Sequence, residues 1–128
     1  MVRLAAFFGL KNVEVIKHWQ QVAVEKSRLH IPLLFGMDVI HGYDVTFPIP
    51  LALASSWNPD MIEQVARTSA IEASSDGVNW VFSPMVDVCH DARWGRIAES
   101  AGEDPYLGGE IAKAWVRGYQ TNNLFGCP

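Results

Sequence analysis

Cysteine is scarce in this chain of 128 residues: only Cys89 and Cys127 occur, far apart and outside any Cys-x-x-Cys spacing. That argues against a disulfide framework or a cysteine-held metal, and it leaves the redox compartment open. Charge is scarce as well. Only 19% of the residues are charged, the formal net charge is −4, and there is no block of like charges. Nothing offers the basic face that nucleic-acid phosphates demand. Long apolar runs are missing too, so no segment reads as a membrane span. The opening Met1 to Leu10 holds one Arg and a short apolar stretch without a small-residue cleavage site, so it reads as the edge of a domain rather than a targeting segment. Internal repeats, low-complexity tracts and linkers are likewise absent.

What remains is a chain with 49% hydrophobic residues, including five Trp, six Phe and three Tyr. A disordered polar chain is excluded, because this much apolar surface can offset the entropy of ordering. The length suits one ordinary domain. Aromatic residues are assigned to the core by default, although they also suit sugar binding.

Helical and strand patterns alternate. Val15, Ile16, Trp19, Val22 and Ala23 recur at helical period after Asn12, whose side chain can accept from a free N–H of the first turn. Leu33-Leu34-Phe35 reads as a buried strand running into Gly36-Met37-Asp38. A Gly- and Pro-rich loop follows, from His41 to about Pro50. Asn58-Pro59-Asp60 opens a second helix, with a cap, a proline at the first position and an acid at the positive dipole end. Its inner stripe is Met61, Ile62, Val65, Ala66, Ser69 and Ala73, and Asp76-Gly77 stops it. Trp80-Val81-Phe82 is the next strand, ending at Ser83-Pro84. After an irregular stretch from Met85 to Glu103, Asp104-Pro105 starts a helix lined by Leu107, Ile111, Ala114, Trp115 and Gly118. Leu124 to Cys127 opens a third strand. Trp19, Trp80 and Trp115 are expected in the core.

Such alternation predicts an α/β fold with a parallel sheet. The loops after the strands are longer and more polar than those after the helices, and ligands bind at the carboxyl ends of parallel strands. Asp38 and His41 follow one strand, and Asp87 to Asp104 follow the next. Both polar clusters should therefore share one face. The second cluster packs acids, guanidinium groups and an indole into a single loop: Asp87, His90, Asp91, Arg93, Trp94, Arg96, Glu99, Glu103 and Asp104. Vicinal sugar hydroxyls are held by groups of these kinds, a carboxylate accepting two hydrogen bonds and a guanidinium donating in a planar fork. An aromatic ring can cover the sugar's apolar face.

Four blocks, Phe35-Gly36-Met37-Asp38-Val39-Ile40-His41-Gly42-Tyr43, Phe47-Pro48-Ile49-Pro50-Leu51, Phe82-Ser83-Pro84-Met85-Val86-Asp87 and Arg93-Trp94-Gly95-Arg96, continued by Gly102-Glu103-Asp104-Pro105-Tyr106-Leu107, resemble family 3 glycoside hydrolases, bacterial β-glucosidases above all. The resemblance runs from about Glu25 to the end of the chain, in order and in spacing. It implies a partial (β/α)8 TIM-type barrel, with 1–128 a fragment of an N-terminal catalytic barrel domain. The rest of the barrel and a second α/β domain are then missing from the chain. It implies a retaining β-glucosidase acting on terminal non-reducing β-D-glucosyl residues, with a β-glucoside or oligosaccharide as substrate and β-xylosides as the next candidates. It assigns sugar contacts to Asp38 and Arg96. His41, Trp94, Glu99 and Asp104 follow as supporting residues, His41 holding the loop near Asp38 and Asp104 capping a helix. Family members carry a Lys-His pair on the next strand, a nucleophilic Asp further on, and an acid/base carboxylate from the second domain. None of these falls within the 128 residues, so the chain alone is expected to be inactive.

Two departures from the family pattern touch the loops. His90-Asp91-Ala92-Arg93 stands where relatives commonly have Arg-Asp-Pro-Arg, and loss of that proline should free the turn. Asp44 stands where many relatives place a basic residue. No cofactor, metal, nucleic acid or membrane is expected as a partner. A periplasmic or secreted parent is compatible with the resemblance, and the oligomeric state is left open. Two other readings compete. One is a non-catalytic sugar-binding module. The other is a metal-dependent hydrolase built on Asp38, His41, His90 and Asp91, residue types that suit a transition metal but lack any His-x-His or His-Glu-x-x-His spacing.

Overall fold

The structure, a computed structural model, describes residues 5–121 and the backbone of Phe125–Gly126. The order is β1 (Ala6–Phe8), α1 (Val13–Lys26), β2 (Leu34–Met37), α2 (Pro50–Ala54), α3 (Pro59–Ser75), β3 (Trp80–Val81), a 3₁₀ turn (Ile97–Glu99), α4 (Pro105–Gln120) and β4 (Phe125–Gly126). The strands form one sheet in the order β1-β2-β3-β4. Every pairing is parallel, with Phe7 opposite Phe35, Gly36 opposite Trp80, and Trp80 opposite Phe125. Sequential parallel strands put all their carboxyl ends at one edge, so the loops leaving them gather there.

The helix starts follow from their caps. The Asn12 side chain accepts from the N–H groups of Glu14 and Val15, Asn58 from Met61, and Asp104 from Tyr106 and Leu107. Each relieves donors that the first turn leaves unpaired. Pro59 and Pro105 begin α3 and α4, where a missing N–H costs nothing. Asp76 ends α3, and Gly77 then turns back at φ +92°. A β-carbon there would sit 2.8 Å from Ile16 Cγ2, so both the turn and the packing of α1 require glycine.

The main core lies between the sheet and the α3–α4 pair, with Val39, Ile62, Ala66, Val81, Trp115 and Tyr119 all buried. A smaller core joins Ile16 and Ala23 of α1 to Leu33 and Phe35, with Phe7 and Leu10 at its edge. The predicted stripes of α3 and α4 face inward as expected, apart from half-buried Met61 and Leu107.

Several expectations need correction. The opening residues are more than the edge of a domain, since Ala6–Phe8 pair along β2 as the first strand. Three residues are too few to show a strand period. A short helix, α2, begins where the Gly- and Pro-rich loop was expected to end. Trp19 is 36% exposed and Val15 is exposed, because α1 turns only Ile16 and Ala23 of its stripe fully into the core. Trp19 leans its ring on Phe7 instead, 5.9 Å between centroids. Trp80 is half-buried and sets its ring edge-on to Phe82 at 4.4 Å. Trp115 is buried as expected. Of the third expected strand, Phe125–Gly126 form β4, while Leu124 and Cys127 lie outside the described residues.

Candidate functional site

Asp38 is the first residue past the carboxyl end of β2. Its backbone is held from both sides: the Met37 carbonyl accepts from the Phe82 N–H at 3.2 Å, and Val39 is fully buried. The Asp38 side chain itself is exposed. The backbone is therefore fixed by the sheet while the carboxylate projects at its rim.

Beyond Asp38 the chain forms a closed loop. The Phe47 N–H donates to the His41 carbonyl at 2.8 Å, and His41 Nδ1 lies 3.1 Å from the Phe47 carbonyl. Gly42 bridges Thr46 at φ +115°, where a β-carbon would lie 1.9 Å from the Val45 carbonyl, so only glycine fits. On the outer side, one oxygen of Glu72 on α3 accepts from the N–H groups of Asp44 and Val45, at 3.0 and 3.1 Å. The Tyr43 hydroxyl donates to Asp76 at 2.8 Å. Burial, followed by the Asp76 hydrogen bond and carboxylate charge, pushes the Tyr43 phenol up, so it stays a donor. Asp44 pairs with Lys11, whose ammonium sits 4.3 Å from the Tyr43 ring centroid. The hydrogen bond to Asp44 raises the Lys11 pKa. The pair is exposed on both sides and adds little stability.

The second cluster hangs from β3. Asp91 closes its turn by accepting from the Arg93 N–H at 2.9 Å and from the Arg93 guanidinium. That bonding holds the Asp91 carboxyl below its ordinary value. The turn lacking its family proline is thus held by a side chain. Trp94 is half-buried behind it. Arg96 forks onto one oxygen of Glu99, at 3.0 Å from Nε and 2.6 Å from the terminal nitrogen. The Glu99 hydrogen bond and charge hold Arg96 above its ordinary pKa, and the charges of Asp38 and Asp87 add to the effect.

Asp38, Ile40, His41, Gly42 and Glu99 line one cavity of about 270 Å³. It is open to solvent and has both polar and apolar lining. Arg96 reaches this rim through Glu99. Of the residues picked from sequence, the structure thus gathers Asp38, His41 and Glu99 around one opening, with Arg96 attached through Glu99, and it does not bring Trp94 into the lining. Asp104 stays apart as the cap of α4. Among the described residues no three His, Cys, Asp or Glu side chains are placed to hold a metal ion, so Asp38, His41, His90 and Asp91 do not form a ligand set. None of the described helices is long and apolar enough to cross a membrane.

Sequence reasoning missed the anchors. Glu72 on α3 and Asp76 just past its end lie about thirty residues from the loop they hold. Ser83 and Tyr119 form a buried hydroxyl pair behind Asp38. A Tyr in an apolar helical stripe carries no local sign of what its hydroxyl meets.

The model of the glycosyl hydrolase family 3 N terminal domain matches residues 7–126. The chain belongs to this family. It is 44% identical over 118 residues to a periplasmic beta-glucosidase of Salmonella typhimurium, covering 92% of this chain and 15% of that relative. It is 37% identical over 117 residues to a beta-xylosidase of Formosa agariphila, covering 84% and 16%. Among solved structures, a beta-glucosidase from Listeria innocua in complex with glucose superposes with a TM-score of 0.85 at 46% identity, covering 90% of this chain and 16% of that one. The chain therefore spans about 15% of the length of the curated relatives it matches. The four parallel strands with their helices are part of the family's TIM-type barrel, as the resemblance implied.

Proposed function

We propose that the rim around Asp38 is the sugar-orienting half of a retaining β-glucosidase site. The observation that carries this reading is the placement of Asp38, and of Glu99 with its Arg96, on the loops leaving two neighbouring parallel strands, around one cavity. Asp38 accepts from two adjacent hydroxyls, and the Arg96 fork donates to another. Such bonds strengthen as the ring flattens toward an oxocarbenium-like transition state. Titratable groups and a concave rim at the carboxyl ends of barrel strands support the same assignment.

Residues 1–128 form part of the N-terminal barrel domain of the parent protein in this reading. Bond cleavage needs two carboxyl groups roughly 5 Å apart on opposite sides of the glycosidic bond. Asp87, Asp91, Glu99 and Glu103 all belong to one loop and do not flank a bond from both sides. The nucleophile and the acid/base group are therefore supplied from outside these residues. A terminal β-D-glucosyl residue is the proposed substrate, in line with the glucose-bound Listeria relative, and a periplasmic parent is in line with the Salmonella one. A β-xyloside is the second reading, favoured by the Formosa relative. The test is Asp38→Ala in the full-length protein with aryl β-glucoside and aryl β-xyloside. We expect kcat/KM to fall more than about tenfold on the preferred substrate, and an unchanged value refutes the assignment.

A further inference from the structure

We propose that Ser83 and Tyr119 are positioning residues for Asp38: their two buried hydroxyls clamp the Val39 carbonyl and so hold the backbone from which the sugar-binding carboxylate projects. The inference rests on the sugar-site reading above.

Three oxygens form a closed triangle behind the site. Ser83 Oγ lies 2.7 Å from the Val39 carbonyl and 2.7 Å from the Tyr119 hydroxyl, which is itself 2.5 Å from the same carbonyl. All three residues are 0% exposed. The triangle has three edges but only two hydroxyl protons. Whichever way the protons point, at least one of them reaches the Val39 oxygen. The carbonyl is never left bare, and the two hydroxyls are partly redundant. Burial pushes the Tyr119 phenol up despite the opposing Ser83 hydrogen bond, so it stays protonated and able to donate.

The three residues come from three separate parts of the chain. Val39 adjoins Asp38, Ser83 ends the stretch after β3, and Tyr119 is near the end of α4. Together they tie both rim loops to the helix behind them. Packing alone does not explain the hydroxyls, since Phe and Ala would fill nearly the same space without two buried polar groups to satisfy. With Met37 held by Phe82 on the other side, Asp38 is the one exposed residue between two anchored neighbours. A carboxylate that must accept from two hydroxyls at once needs such a backbone, because small displacements cost rate steeply.

The test uses the full-length protein with Tyr119→Phe, Ser83→Ala and the pair, each made with Asp38 present and in an Asp38→Ala background. With Asp38 present, each single variant should lower kcat/KM about two- to fourfold and the pair more than about twentyfold, beyond the product of the singles, because the last donor to the carbonyl is lost only in the pair. In the Asp38→Ala background the pair should lower the remaining rate less than about twofold, since a positioning effect acts through the missing carboxylate. Equal losses in both backgrounds mean a merely structural role and overturn the proposal, as does a pair without loss. Should Asp38→Ala itself leave kcat/KM unchanged, the sugar-site reading falls and takes the proposal with it. Hydrogen exchange guards against a pair that does not fold. In Tyr119→Phe, a peptide covering 37–41 should exchange several-fold faster than in a core control, Val65→Ala. Exchange no faster than in that control overturns the proposal.

Discussion

Gly118 on α4 sets two ordinary rules against each other. Helix propensity alone says that Gly118→Ala should stabilise an interior helical position by about 1 kcal/mol. The packing says otherwise. A β-carbon at Gly118 would lie 2.5 Å from the Ala66 methyl, 2.6 Å from the Glu63 carbonyl oxygen and 3.0 Å from the Arg67 nitrogen. Carbon atoms rest about 3.5–4.0 Å apart, so α3 and α4 must separate by roughly 1 Å. Two of the three obstacles are backbone atoms of α3, and no side-chain rotation relieves them. Overpacking of this kind costs about 1–3 kcal/mol in general, and helices that must move as rigid bodies belong at the upper end. After subtracting the propensity gain, the net loss is about 1–2 kcal/mol. The assay is hydrogen exchange of the α3 and α4 peptides in the full-length protein, under conditions where exchange reports the opening equilibrium. Since about 1.4 kcal/mol is a factor of ten, exchange should accelerate about five- to thirtyfold. Slower exchange in Gly118→Ala would refute the close-packing argument and leave propensity in command.

Other outcomes follow from the same structure. Tyr119 has a folded pKa above its ordinary 10.0, so the stability it contributes is full below about pH 10 and declines as pH rises toward the folded value. The stability gap between wild type and Tyr119→Phe should accordingly be constant at neutral pH and shift against the wild type above pH 10, as read from unfolding midpoints across pH 7–11. A gap that does not change with pH contradicts the buried-phenol account. The isolated 128-residue chain should aggregate or oligomerise, because β1 and β4 are edge strands among the described residues and Phe8 is 64% exposed. Size-exclusion chromatography showing a monomer with a sharp thermal transition would contradict this. The same chain should release no aryl leaving group from β-glucosides above a buffer blank, whereas turnover that disappears in Asp38→Ala would place a complete site within it. Activity of the full-length protein should be unchanged by prolonged treatment with a metal chelator, and a loss restored by Zn or Mn would revive the metal-dependent reading.

Much of this protein could be read from the order of its residues, because the relevant physics is local. Asn12, Asn58 and Asp104 cap helices whatever surrounds them, since the donors they relieve lie two or three residues away. The period of Ile62, Val65, Ala66 and Ser69 marks an inward face before any partner is known. Strand–helix alternation implies parallel strands, and parallel strands put Asp38 and the Arg96 loop at the same edge. The tertiary structure decided what depends on distance in space. Ala6–Phe8 became a strand only through pairing with β2. Trp19 stayed exposed because α1 presents Ile16 and Ala23 to the core, although the helical phase of Trp19 is that of a core residue. Glu72 reached across to the Asp44 and Val45 amides. Tyr119, eighty residues along the chain from Val39, met its carbonyl. A hydroxyl's partner is set by the docking of α4 against the loop behind Asp38, and docking is a sum of many contacts between segments remote in sequence. No window along the chain contains that sum.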